Sequence, residues 1–165
     1  MVILNNSSFS ALIHARCILL LSKMFRNVYI PKAVEEEFKK MNKPIPSFIE
    51  VRELNEEQKE RESKMRTRLH RGEREAIILA EDLDDLLIID DRAARNECKR
   101  RDLDITGSFG IIREAYSDCL LTRAELERAV KLLKRNLYYK EWLCDYVLAA
   151  KKTHNLRSIS SNTSL

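Results

Sequence analysis

Short apolar runs alternate with longer stretches of helical character along most of the chain, and this alternation restricts the fold more than any other feature. Val2-Ile3-Leu4, Val28-Tyr29-Ile30 and Leu86-Leu87-Ile88-Ile89 are too short for helices and rich in aliphatic residues, as the buried strands of parallel sheets are. Leu103-Asp104-Ile105-Thr106 is a fourth short strand candidate, and Phe48 to Leu54 alternates as an edge strand does. Asn5-Asn6-Ser7-Ser8 supplies N-caps for helical material reaching Phe25, in which Cys17, Ile18, Leu21, Met24 and Phe25 form one apolar stripe. Pro31 suits the first turn of a helix that runs to about Met41, and Lys43-Pro44-Ile45-Pro46 breaks the chain. Further helices are expected from Asn55 to about Arg71, from Glu73 (just after Gly72) to Asp82, from Asp91 to Arg101, and from Gly107 to about Cys119. Two more run from Thr122 to Arg135 and from Tyr139 to Lys151.

Strands alternating with helices predict βαβ units, and hence a three-layer α/β/α fold around a central parallel sheet. The expected organisation is an α/β core over residues 1–118, a C-terminal helical extension over 119–152 packed on that core, and a loose, Ser- and Asn-rich tail over 153–165. At 165 residues the chain buries enough surface to fold without a disulfide or structural metal. The four cysteines, Cys17, Cys98, Cys119 and Cys144, have no metal-ligand spacing and read as core thiols of a reducing compartment. No run approaches the roughly 20 apolar residues of a membrane helix, and the N-terminus lacks the basic region of a secretory signal, so a cytoplasmic protein with no membrane partner is expected. His14, His70 and His154 show no zinc spacing, and no phosphate loop, nucleophile elbow or dinucleotide fingerprint occurs. Tyr138, Tyr139, Trp142 and Tyr146 read as packing residues of the last helices.

Ligands of such sheets bind beyond the carboxyl ends of the strands, so the residues after Leu4, Ile89 and Ile105 carry most of the functional interest. Glu37 shares a helical face with Val34, Phe38 and Met41. A carboxylate on that face needs compensation, by a basic partner at the margin of the stripe or by a cation. Asp90 ends a strand and either caps the following helix or, if Asp91 is the cap, faces the crevice. Glu75 stands near a helix start beside Glu73, on the side of Ile78 and Leu79, and Asn5 ends the first strand. Carboxylates meeting in one crevice would repel each other, and a hard divalent cation, Mg²⁺ or Mn²⁺, would relieve the repulsion and activate water against a phosphodiester. The basic segment Lys59 to Arg71 is either a solvated helix face or a grip on RNA phosphates.

With these residues in view, the chain resembles the PIN-domain superfamily, toxin-type ribonucleases included. The resemblance rests on five segments in order: Leu4-Asn5-Asn6-Ser7-Ser8; Val28 through Phe38; Arg71-Gly72-Glu73-Arg74-Glu75-Ala76-Ile77; Leu86 through Arg95; and Ile105-Thr106-Gly107-Ser108-Phe109-Gly110. It implies a Mg²⁺- or Mn²⁺-dependent endoribonuclease, a hydrolase that binds RNA. Such a protein is often the toxin of a toxin–antitoxin pair, with an antitoxin protein and a second copy of the chain as possible partners. The family's acidic quartet falls on Asn5, Glu37, Glu75 and Asp90, with Asp91 as a further metal ligand. Thr106, Ser108 and Arg71 fall where substrate is held. Asn5 stands where the family carries aspartate, and Ser8 where it carries proline. The resemblance therefore also admits a PIN-fold module that binds nucleic acid or protein without cleaving it.

Overall fold

The computed structural model describes residues 1–65, 68–136 and 141–153. Five strands pair in parallel into one sheet: β1 (Val2–Leu4), β2 (Val28–Pro31), β3 (Ile49–Arg52), β4 (Leu86–Ile88) and β5 (Ile105–Thr106). Their spatial order is β3-β2-β1-β4-β5. Val2 of the central strand lies opposite both Val28 and Leu86. The residues of β1 are 0% exposed, so no polar alternation survives there. The edge strand β3 does alternate at its start, burying Ile49 and exposing Glu50. Strand order reverses between β1 and β4, and such a reversal opens a crevice at the carboxyl ends of the two strands.

Helices α1 (Asn6–His14), α2 (Leu20–Met24), α3 (Lys32–Lys40), α4 (Glu56–Ser63), α5 (Arg71–Leu83) and α6 (Arg92–Arg100) flank the sheet in a PIN-like α/β/α arrangement. Helix α5 buries its continuous run Ala76–Ala80 in a cluster with Ile3, Tyr29, Leu87 and Ile89. Phe9 of α1 stacks on Phe38 of α3 with ring centroids 4.3 Å apart, an arrangement that adds about 0.5–1.5 kcal/mol to simple burial. Residues 1–108 form one compact unit and 109–165 a second. The second holds α7 (Ser108–Ser117) from its second residue onward, α8 (Arg123–Asn136) and α9 (Glu141–Leu148). In α8 the buried Leu126, Ala129, Val130 and Leu133 recur at the spacing of one helical face. No helix among the described residues is long and apolar enough to cross a membrane.

Several expected elements differ in extent. The helical material between Asn5 and Phe25 is two helices, because Arg16 adopts φ 58°, and the N–H of Cys17 turns back to the carbonyl of Leu12. Helix α4 stops at Ser63 instead of continuing to Arg71, and Gly72 lies inside α5 instead of ahead of it. Strand β5 keeps only Ile105 and Thr106 of the expected four residues. Met41 is 45% exposed and leaves the apolar face of α3, where Ala33, Val34 and Phe38 are buried. Trp142 and Tyr146 are exposed and not packed inward. The expectations for Tyr138, Tyr139 and the tail beyond Thr153 lie outside the described residues.

Candidate active site

The polar residues at the carboxyl edge of the sheet are placed by the needs of the helices that start there. The first N–H groups of a helix have no partner within it, and a carboxylate or amide oxygen satisfies them well. Asn5 is fully buried and is the N-cap of α1, its side-chain oxygen accepting from the Ser8 N–H at 3.0 Å. Asp91 does the same for α6, accepting from the Ala94 N–H at 2.8 Å. Of the two adjacent aspartates it is therefore Asp91 that caps this helix. Asp90 turns to the start of α7, where one oxygen accepts from the Ser108 N–H at 2.9 Å and the other from the Ser108 hydroxyl at 2.5 Å. Helix α3 begins after Pro31, which has no side chain able to cap it. Glu75 supplies that acceptor from α5: its Oε2 takes the Ala33 N–H at 3.0 Å, and its Oε1 takes the Arg71 Nε–H at 2.7 Å.

Gly107 lets Asp90 approach so closely. A Cβ there would lie 2.7 Å from Asp90 Oδ1. Beside it, Arg95 donates from Nη1 to the carbonyls of Ile89 (2.8 Å) and Thr106 (3.0 Å), holding the ends of β4 and β5 together. Arg71 bridges Glu75 and Glu36, so its guanidinium is engaged by two carboxylates. Most of the basic segment before it is likewise in ion pairs: Arg61 with Glu81 and Asp82, Lys59 with Glu53 and Glu56, and Lys64 with Glu60.

A cleft of about 330 Å³ opens between the N-termini of α1 and α5, lined by Asn6, Ser7, Glu37, His70, Gly72 and Glu73. Of the residues singled out in the sequence for the site, only Glu37 lines it. Glu37 is half-buried and accepts from the Asn6 side-chain amide, so its compensating partner is a neutral amide and not an arginine. The Phe9–Phe38 stack, from the helices that carry Asn6 and Glu37, fixes α1 against α3. Glu73 faces the same cleft and accepts the His70 N–H at 3.0 Å through Oε2. Burial, and then the charges of Asp91 and Glu37, push the Glu73 carboxyl above its ordinary value, against the His70 N–H that favours the charged form. In the sequence Glu73 stood only as the neighbour of Glu75 near a helix start, and His70 showed no zinc spacing. Their adjacency to Gly72, whose missing side chain leaves Glu37 Oε1 within 3.8 Å of its Cβ position, is the signal that marks them.

Among the described residues no three His, Cys, Asp or Glu side chains gather closely enough to hold a metal ion by themselves. The cleft's side chains other than the His70 imidazole nevertheless offer hard oxygens or amides, and Glu37 and Glu73 bring two like charges to it. Mg²⁺ is commonly held by one or two carboxylates while keeping several waters, and Glu37 and Glu73 fit that demand. Searches of curated proteins and of solved structures returned no significant match. A family model described as a PIN domain matches residues 1–152. The all-parallel sheet in the order 3-2-1-4-5 and this match over nearly the whole chain agree: the chain belongs to the PIN domain family.

Proposed function

We propose that this protein is a Mg²⁺- or Mn²⁺-dependent endoribonuclease, of the kind that serves as the toxin of a toxin–antitoxin pair. The observation that carries the reading is the cleft between the N-termini of α1 and α5, lined by both Glu37 and Glu73, where burial first, and then the charges of Asp91 and Glu37, push the Glu73 carboxyl above its ordinary value. Glu37 and Glu73 are the residues that would hold the ion. A bound divalent cation would supply a Lewis acid and an activated water at the scissile phosphate. Asn6 orients Glu37 through its amide, and the first N–H groups of α1 and α5 give the cleft a positive backbone field that a phosphate would meet. Asp90 acts as a positioning residue in this reading: by holding Ser108 it fixes the start of α7 beside the ends of β4 and β5.

The test is cleavage of single-stranded RNA by purified protein with Mn²⁺. Wild type should cleave, and Glu37→Gln should cut the rate by about 100-fold or more, as loss of a metal-site carboxylate does. Equal rates would overturn the assignment of Glu37. A second reading, a PIN-fold module that binds without cleaving, is favoured by Asn5 and by the full engagement of both oxygens of Asp90 and of Glu75. It predicts no metal-dependent cleavage by wild type. Calorimetric Mn²⁺ titration of Asn5→Asp separates the two: tighter binding together with new cleavage would assign the wild-type inactivity to the missing charge.

A further inference from the structure

The net positive charge of this protein comes from its second unit alone. Residues 1–108 contain twenty Lys and Arg against twenty Asp and Glu, whereas residues 109–165 contain ten against six, which accounts for the whole net charge of +4. Within that unit, α9 has two different faces. Cys144 and Val147 are buried, while Trp142 and Tyr146, four residues apart and so one above the other, are 62% and 51% exposed. Cations accompany the aromatics. The Arg113 guanidinium lies 4.4 Å from the centroid of Tyr146, and Lys152 Nζ lies 5.7 Å from that of Tyr116. Among the described residues neither Arg113 nor Lys152 makes an ion pair, and Arg113 Nε has no hydrogen-bond partner.

We propose that the exposed Trp142–Tyr146 face of α9, with Arg113 beside it, is a base-stacking surface for single-stranded RNA. Exposed aromatics offer flat faces on which bases stack whatever their sequence, and a cation beside them that makes no ion pair among the described residues attracts the backbone. The charge excess of this unit favours a polyanion over a second copy of the chain, which would bring like charge to like charge. Asp145 shares the stripe and opposes phosphate, so the surface is tuned for modest affinity. The choice of RNA rests on the proposed endoribonuclease reading, while the stacking chemistry does not.

Trp142 is the only tryptophan in the chain, so it reports on its own surroundings. The full-length protein is titrated with a twelve-nucleotide oligouridine in EDTA, where cleavage cannot occur. Trp142 emission should be quenched, and the affinity should fall as salt rises. Tyr146→Ala, which keeps the reporter, should bind about tenfold more weakly. Asp145→Asn should bind more tightly, and Trp142→Ala should weaken binding of a fluorescently labelled oligouridine read by anisotropy. Circular dichroism checks that each variant stays folded. Emission unchanged at saturating oligouridine, or Tyr146→Ala binding as wild type does, overturns the proposal. Emission that shifts with protein concentration alone would assign the face to a second copy and also overturn it. Quenching without any metal-dependent cleavage would leave this surface standing and remove the nuclease reading. Cleavage without quenching would do the reverse.

Discussion

Asn5, Glu73, Glu75, Asp90 and Asp91 each accept a backbone N–H at the start of a helix, and Glu37 alone among the carboxyl-edge acids does not. A cap with a second free oxygen can serve a ligand as well, which is the position of Glu73. Its folded-state value lies above the ordinary 4.5, so the native state holds the proton more tightly than the unfolded chain does. Stability from this group is therefore present in full below about pH 4.5 and is lost as pH rises through the raised native value. Glu73→Gln keeps an acceptor for the His70 N–H and removes the charge. Its melting temperature should exceed that of wild type at pH 7.5, and the difference should vanish toward pH 4. A melting temperature at or below wild type at pH 7.5 would count against a Glu73 carboxyl raised by burial and neighbouring charge.

At the level of elements, helix starts are well marked in this sequence and helix ends are not. Asp91 is an ordinary N-cap, and Asp91→Ala should cost about 1 kcal/mol, or about 2–4 °C in melting temperature for a chain this size. No change on calorimetry would mean that another group takes the Ala94 N–H. With only three glycines, the helices end on other residues in the left-handed region: Arg16, Asn42, Asp84, Asp102 and Cys119 all have φ between 49° and 61°. Asparagine and aspartate tolerate that conformation, but nothing in the composition around Arg16 announces it, which is why α1 and α2 read as one helix. The strands were legible because a buried parallel strand must be apolar throughout. Strand β5 was over-extended because Leu103 continues the apolar pattern, whereas the pairing with β4 begins only at the Asp104 carbonyl, which accepts the Leu87 N–H.

At the level of the whole molecule, none of the four cysteines is in a disulfide, and only Cys119 is exposed. Burial pushes the Cys98 thiol up to about 11, and raises that of Cys144 as well. Native protein should therefore release one fast thiol to Ellman's reagent at pH 8 and four after denaturation, with a melting temperature indifferent to reductant. Two or more fast thiols would contradict the packing of the buried three. Charge is organised at the same scale: the first unit is balanced and ties several of its basic residues into ion pairs, such as Arg61 and Arg101 both meeting Glu81 between α4, α5 and α6. Exposed pairs of this kind contribute little each and weaken with salt, whereas the uncompensated charge of residues 109–165 remains available to a polyanion.

The amino-acid sequence by itself determined that short apolar strands alternate with helices, that the sheet is parallel, and that acidic and amide side chains gather at its carboxyl edge. Those features are local, since they depend on the period of apolar residues and on which side chains satisfy helix starts. Which acids face the cleft was decided only by tertiary packing. Glu73 and Glu75 lie two residues apart on α5, about 200° around the helix, so they point to opposite sides, and either is compatible with the same local pattern. The docking of α3 against α5 chose between them. It drew Glu75 under Ala33 as the cap that Pro31 cannot provide, and left Glu73 beside Glu37.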